Sequence, residues 1–325
     1  MQTLSEANTN LTELSLRNLS RQIKERALVE GFDKVGIVRP ESLYEEGIKL
    51  NEWLSRGYHA EMAWMQRDVQ KRIDPREVFP QTLSVIVVAL NYFTPVKHHD
   101  DSETGKVSRY AWGDDYHDVV GTKLRSLLNC IKEQWPEAEG KVCVDIQPVM
   151  DKAWAVRAGL GWLGKHTNVI TPEFGSWVFI GELLLNLELE YDTDRVEDHC
   201  GTCTLCLEAC PTQAIAEPYI VDSNKCISYA TIESRSPKLE PVIEDNLSGW
   251  LYGCDICQDV CPWNRFEQPT NEPRFEAREG NVNATLSDII QLTPETYAER
   301  FRGSAMKRAK LSGLKRNAEA LLNVR

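Results

Sequence analysis

Cysteine placement constrains this 325-residue chain more than any other feature, because eight of its ten cysteines are spaced as parts of one binding unit. The first part reads Cys200-x2-Cys203-x2-Cys206-x3-Cys210-Pro211. The second reads Cys254-x2-Cys257-x3-Cys261-Pro262, and Cys226 stands alone between them. Spacings of two residues let three sulfurs of one turn converge on a single iron–sulfur cube, while the cysteine before the proline reaches a second cube. The pattern predicts two [4Fe–4S] clusters. Cys200, Cys203, Cys206 and Cys261 surround one; Cys210, Cys254 and Cys257 surround the other, with Cys226 the nearby cysteine to fill its open position. Crossed ligation of this kind brings the clusters close enough for electrons to hop between them. Zinc sites use two C-x2-C pairs per metal and fit the three-cysteine run poorly. Disulfides need an oxidising compartment, and Met1 to Asn10, polar with Glu6 its only charge, does not read as a secretory signal. Cys130 and Cys143 sit in apolar-rich stretches and read as buried structural thiols.

The length allows two or three domains, and a hydrophobic content of 42% supports ordinary globular cores. No apolar run is long enough to span a bilayer, so a cytoplasmic protein is expected, in a compartment that suits oxygen-sensitive clusters. The net charge of −12 argues against a nucleic-acid partner until its distribution is considered. Residues 302–325 carry Arg302, Lys307, Arg308, Lys310, Lys315, Arg316 and Arg325 against Glu319 alone, a net of +6. A basic tail on an acidic body is either a solvated surface helix or a surface that meets phosphates.

Apolar periodicity predicts an amphipathic helix over 12–30, with Leu16, Leu19, Ile23, Ala27 and Leu28 on one face and Gly31 as its cap. A strand over 33–38 and a helix over 42–56 follow. The run Ser84 to Leu90 (SVIVVAL) is continuous and β-branched, as in a strand buried on both faces. Further elements are a helix over 115–135, a strand over 141–146, a helix over 150–158 stopped by Gly159, and a strand over 177–187. This mixture predicts one α/β unit. Residues 266–283 are polar and Pro-containing and read as a linker, and helices are expected from 286 onward.

Two motifs promise more than they hold. Gly159-x-Gly161-x-x-Gly164 matches the dinucleotide fingerprint, which needs a preceding strand and a helix opening at the glycines. Here a helix precedes, so the glycines are expected instead to admit a ligand closely. Asp115-x-His117-x-x-Gly121 matches a cobalt-ligating histidine pattern, but inside a predicted helix His117 reads as a helix residue near a pocket.

Several segments occur in a fixed order: Lys71-Arg72-Ile73-Asp74-Pro75, Val107-Ser108-Arg109-Tyr110-Ala111-Trp112-Gly113, Asp115-Tyr116-His117 and Val144-Asp145. Arg157 through Thr167 (RAGLGWLGKHT), Phe174-Gly175-Ser176, Cys226-Ile227-Ser228-Tyr229 and Tyr252-Gly253-Cys254 follow. Together they resemble the epoxyqueuosine reductase family over residues 15–325. The resemblance implies a cobalamin-dependent enzyme that reduces the epoxide of epoxyqueuosine to the cyclopentene of queuosine at the tRNA wobble position. This is the last step of queuosine biosynthesis, with electrons passing through two [4Fe–4S] clusters to base-off cobalamin. It implies an α/β (α+β) cobalamin-binding domain over 12–191, similar to that of reductive dehalogenases. A bacterial ferredoxin-like domain over 192–265 and a linker with a basic helical region over 266–325 would follow.

By motif position the resemblance makes Asp145 the proton donor and puts Arg72, Ser108, Asp145, Val169, Ile180 and Ser228 where the family contacts cobalamin. It also assigns all eight cysteines, Cys226 included, as cluster ligands. The implied partners are tRNA carrying epoxyqueuosine, met at its anticodon stem-loop, and an electron donor; a monomer without membrane attachment is expected. One departure is that family members usually continue into a longer C-terminal helical region. The competing readings are a corrinoid reductive dehalogenase acting on a small molecule, a plain iron–sulfur electron carrier, and an iron–sulfur protein that only binds RNA. A carrier needs no large domain ahead of its clusters.

Overall fold

The computed structural model describes residues 2–99 and 101–323, with side chains from residue 15 onward. The strands are β1 (Lys34–Val38), β2 (Ser84–Asn91), β3 (Thr104–Val107), β4 (Gly140–Cys143), β5 (Trp162–Leu163), β6 (Val169–Ile170), β7 (Val178–Leu185), β8 (Ile215–Glu217), β9 (Ile220–Val221), β10 (Trp250–Tyr252) and β11 (Asn283–Thr285). The helices are α1 (Gln2–Val29), α2 (Tyr44–Ser55), α3 (Val69–Ile73), α4 (Tyr116–Gln134), α5 (Asp151–Arg157), α6 (Leu205–Ala209), α7 (Ile227–Ile232), α8 (Pro241–Glu244), α9 (Ile256–Asp259), α10 (Leu286–Gln291), α11 (Pro294–Arg300) and α12 (Lys310–Asn323). None of the described helices is long and apolar enough to cross a membrane.

The main sheet has the order β1-β2-β7-β4, and every pair in it is antiparallel. The expected mixture of strands and helices is therefore of the α+β kind. β2 is buried along its whole length, as its apolar run predicts, because both faces are covered. Ile86, Val88 and Leu90 pack with Phe179, Leu183 and Leu185 against α1 and α4. Val85, Val87, Ala89 and Leu184 pack against Trp154 and Ala155 of α5. Each such aliphatic side chain contributes about 1.5–3 kcal/mol by leaving water.

On α1, Ile23 and Ala27 are buried as expected, but Leu28 is half exposed, since it lies one residue round the helix from the buried stripe. Gly31 closes α1 with φ +91°. Phe32 N–H reaches Ala27 O at 3.2 Å and Gly31 N–H reaches Leu28 O at 2.9 Å, the double bond of a Schellman cap. β4 departs from expectation: it ends at Cys143 rather than 146, because Asp145 takes a left-handed φ of +57° and turns the chain out of the sheet. As a result β4 pairs only with Glu182 to Leu185 of β7, and the half of β7 from Val178 to Gly181 has no partner on that edge.

The second core does not follow sequence blocks. β3 is the centre of a sheet ordered β10-β3-β11, and Val107, Ala111 and Trp112 are buried with Ile227, Tyr252, Phe301 and Leu314. Nor is 266–283 a free linker. Thr270 N–H bonds to Phe93 O at 2.7 Å, buried Glu272 pairs with Lys123 at 2.8 Å, and Phe275 is buried in the α1–α4 core. The basic tail divides by role. Arg316 is buried and donates to Ala230 O at 2.6 Å and Ser236 O at 2.8 Å, and Arg308 pairs with Glu233 at 2.7 Å. Arg302, Lys307 and Lys310 are exposed, and Arg325 lies outside the described residues. Cys143 is buried as expected, and Cys130 is partly buried.

Candidate active site

Cys200, Cys203, Cys206 and Cys261, the four sulfurs first grouped by spacing, line one cavity of about 220 Å³ together with Lys165, His166 and Trp263. The turn that carries the first three is pinned from below. Asp198 accepts Cys200 N–H at 2.7 Å, and Lys165 Nζ donates to Gly201 O at 2.6 Å and Cys203 O at 2.9 Å. Cys210, Cys226, Cys254 and Cys257 form the second group. Burial raises the Cys257 thiol, and the charges of Cys226, Cys206 and Cys210 raise it further. Burial likewise lifts Cys254, with Cys257 and Cys226 adding to it. The action of Cys206 on Cys257 shows how near the two groups stand.

Burial pushes the Cys206 thiol up to about 11 and raises Cys200 and Cys261 as well, so these three sulfurs resist ionisation until a positive charge arrives. Thiols that ionise only beside a metal and surround an enclosed space fit an iron–sulfur cube. A zinc ion, which takes two C-x2-C pairs, suits the three-cysteine run less. His166 adds a donor to the wall. Burial pulls it down to about 4, so it is neutral. Its Nδ1 accepts Asn168 N–H at 3.2 Å, which leaves buried Nε2 with a proton and no protein partner.

The segment from Gly159 to Gly164 serves this cavity and admits no ligand, contrary to expectation. A Cβ on Gly161 would meet Ile170 O at 2.1 Å, and one on Gly159 would meet Asp194 O at 2.4 Å. The glycines let protein backbone close on backbone, so that Lys165 and His166 reach the first thiol group.

Asp145 stands in the opening that β4 leaves beside β7. Its side chain is 62% exposed, yet protein crowds it on the remaining sides. Tyr116 Oη donates to Asp145 Oδ2, and His117 Nε2 lies 3.5 Å from the same oxygen. His117 Nδ1 lies 2.6 Å from Asp115 Oδ1, while the Asp115 carboxylate also caps α4 by accepting His117 N–H at 3.0 Å. Tyr116 stacks on Phe179 of β7 with ring centroids 4.4 Å apart, which fixes the start of α4 over the open strand. Burial pulls His117 down, but its bonds to Asp115 and Asp145 more than reverse this and push it up to about 9. Burial pushes Asp145 up, but hydrogen bonds from His117 and Tyr116 hold it below its ordinary value. At neutral pH the proton of this row therefore sits on His117. Lys152 Nζ donates to Thr167 O and Asn168 Oδ1, each at 2.9 Å, and its charge acts on Asp145 and on Cys257 and Cys226 alike. Lys152 thus stands within electrostatic reach of both the carboxylate and the second thiol group.

Comparison with known proteins agrees with this arrangement. Residues 72–146 match the family described as "Epoxyqueuosine reductase QueG, DUF1730", and residues 199–264 match the "4Fe-4S double cluster binding domain". An epoxyqueuosine reductase of Synechocystis sp. is 50% identical over 86% of this chain and 96% of its own length. That of Cellulophaga algicola is 45% identical over 92% of this chain and 96% of its own. The chain belongs to the epoxyqueuosine reductase family. A crystal structure of an epoxyqueuosine reductase with an epoxyqueuosine-modified tRNA-Tyr stem loop superposes with TM-score 0.88 at 29% identity, over 94% of this chain and 81% of that one. A Bacillus subtilis family member, its catalytic aspartate loop swung out of the active site, superposes with TM-score 0.86 at 29% identity, over 94% of this chain and 81% of that one.

The structure describes each family position taken from sequence. Arg72 on α3 is acted on by Asp145 and Asp151 and has a buried Nε without a partner. Val169 and Ile180 share the apolar cluster under α5. Ser228 lies on α7, and its backbone N–H points at the Cys226 sulfur. Ser108 is committed within the protein: its hydroxyl donates to Asp255 and its N–H to Tyr252 O at 2.8 Å. Sequence reasoning missed Tyr116, Asp151, Lys152 and Glu182, and it took His117 for a bystander.

Proposed function

We propose that the protein reduces epoxyqueuosine in tRNA to queuosine, the reaction for which its family is named. The observation that carries this reading is the Asp115–His117–Asp145 row, which holds a movable proton at the open edge of β7 in a chain whose relatives are epoxyqueuosine reductases. Residues 192–265 hold the two clusters on the eight cysteines, with Cys226 completing the second. Residues 12–191 supply the catalytic cleft. Residues 266–325 add the strap over the sheet and a basic rim.

The residues that would hold cobalamin are Arg72, whose buried Nε has no partner in the protein, Ser228, and the apolar Val169 and Ile180. When bound, the clusters and the corrinoid supply low-potential electrons to the substrate carbon. The protein's own part is protons and position. Asp145, on a loop free of the sheet, points its carboxylate into the cleft. His117 passes its proton to Asp145, Asp115 holds the imidazole in line, and Asp145 gives the proton to the departing epoxide oxygen. Tyr116 orients the acceptor oxygen. Exposed Arg302, Lys307 and Lys310 flank Arg308 in the chain, and Arg308 acts on Asp145, so an anticodon stem-loop docked on this basic stretch would bring its wobble base toward Asp145. We take the protein to act in the cytoplasm as a monomer fed by an electron donor.

The test is anaerobic: reduced protein, cobalamin and an epoxyqueuosine-containing tRNA stem-loop, followed by nucleoside analysis. Queuosine is expected, and its absence with both clusters and cobalamin bound would refute the reading. Asp145→Asn should keep irons and corrinoid and lose activity by about 10²–10⁴-fold, the usual worth of a general acid.

A further inference from the structure

Glu182 lies in the middle of β7 between Val87 of β2 and Cys143 of β4. It is fully buried, and neither of its carboxyl oxygens meets a hydrogen-bond donor in the protein. What it faces is the carboxyl of Asp151, at the start of α5. The other charged or titratable groups around the two are Asp145 on the loop after β4, Cys143 on β4, and Arg72 and Lys152, which act on Asp151. An isolated buried carboxylate costs several kcal/mol, and two facing carboxylates in a dry site do not both ionise. The arrangement is satisfied when one acid donates to the other, so the pair carries a proton. Burial, and then the charge of Asp151, raise Glu182 well above its ordinary value.

That proton has a use. Converting an epoxide to an alkene breaks two C–O bonds, forms one C=C bond and releases the oxygen as water, so it consumes two electrons and two protons. The Asp115–His117–Asp145 row holds one movable proton, on His117. The Tyr116 phenol is pushed well above its ordinary value by burial and by Asp145, and so keeps its own. Asp151 neighbours both the buried acid and the loop of Asp145, whose backbone N–H donates to Asp151 Oδ1 at 3.3 Å.

Resting on the epoxide-reductase reading above, we propose that Glu182 and Asp151 store the second proton of the reaction and hand it through Asp151 to Asp145. The first proton reaches the ring oxygen from His117 through Asp145; the second follows as the C–O bond breaks and the oxygen leaves as water. A proton bound more tightly than in an ordinary carboxylic acid, but far less tightly than by an alkoxide, stays in place until such an oxygen appears. Solvent then refills the pair.

Glu182→Gln keeps shape, neutrality and a hydrogen bond to Asp151 but has no proton to give, while Glu182→Asp restores an acid. Infrared spectra of the protein before substrate is added should show a protonated-carboxyl stretch at neutral pH that Glu182→Gln removes. In anaerobic single turnover with cobalamin and the modified stem-loop, Glu182→Gln should slow queuosine formation by about tenfold or more. Its rate should also fall as pH rises, because the second proton must then come from solvent. The wild type should keep a flat profile while His117 stays protonated, below its value of about 9, and Glu182→Asp should recover most of the rate. An absent carboxyl band in the wild type, or a Glu182→Gln protein with wild-type rate and pH profile, overturns the proposal alone. A wild type that forms no queuosine overturns the functional reading with it.

Discussion

Asp115, His117 and Asp145 stand in a row whose middle member holds the proton, and this sets a pH range in which the row works. The pKa of His117 rises from 6.5 to about 9, so its contribution to stability is complete below 6.5 and is lost as pH climbs through 9. A shift of that size corresponds to roughly 3 kcal/mol at most. The unfolding free energies of the wild type and His117→Gln should therefore converge between these limits in denaturant titrations. NMR titration of Asp115→Asn should find the His117 pKa moved back toward 6.5; an unmoved value would remove Asp115 from the row. Asp145 is legible in the sequence only through resemblance, and its neighbours are hidden for a plain reason. Tyr116 and His117 begin a helix far back in the chain, and only Tyr116 stacking on Phe179 brings them to the loop after β4. Glu182 does leave a signal: it is the one acid inside VFIGELLL, an otherwise apolar strand.

Among elements, the strap over 266–283 shows how polarity misleads. Its prolines and acids read as a linker, yet Glu272 is neutralised by Lys123 and Arg274, and a single apolar anchor, Phe275, enters the sheet core. Phe275→Ala should cost about 3–5 kcal/mol, read by chemical denaturation, and expose 266–283 to protease first. An unchanged midpoint would return the segment to a linker. The cysteine grouping is fully legible because it depends on local spacing. The antiparallel sheet is not, because an apolar run like SVIVVAL states burial without direction. β4 reads too long because Val144 and Ile146 continue its pattern, while the left-handed Asp145 ends it.

For the whole molecule, the interleaved cores forbid a simple division at residue 192. A chain of residues 192–325 lacks β3, the centre of the β10-β3-β11 sheet, and should be largely unfolded by circular dichroism and fail to retain eight irons; a stable iron-loaded fragment would contradict this. The charge distribution makes a second prediction. Stem-loop affinity should fall with salt, and replacing Arg302, Lys307 and Lys310 with Ala should flatten the log–log slope by about 0.7–0.9 for each phosphate no longer neutralised. The threading of β3 between β10 and β11 also bears on how the protein is born. Its partners are synthesised more than a hundred residues after it, and such non-local pairing is slow. Until β11 is made, the thiols already synthesised lie outside a finished fold, open to oxidation and to stray zinc, so correct iron loading depends on timing in the cell as well as on affinity.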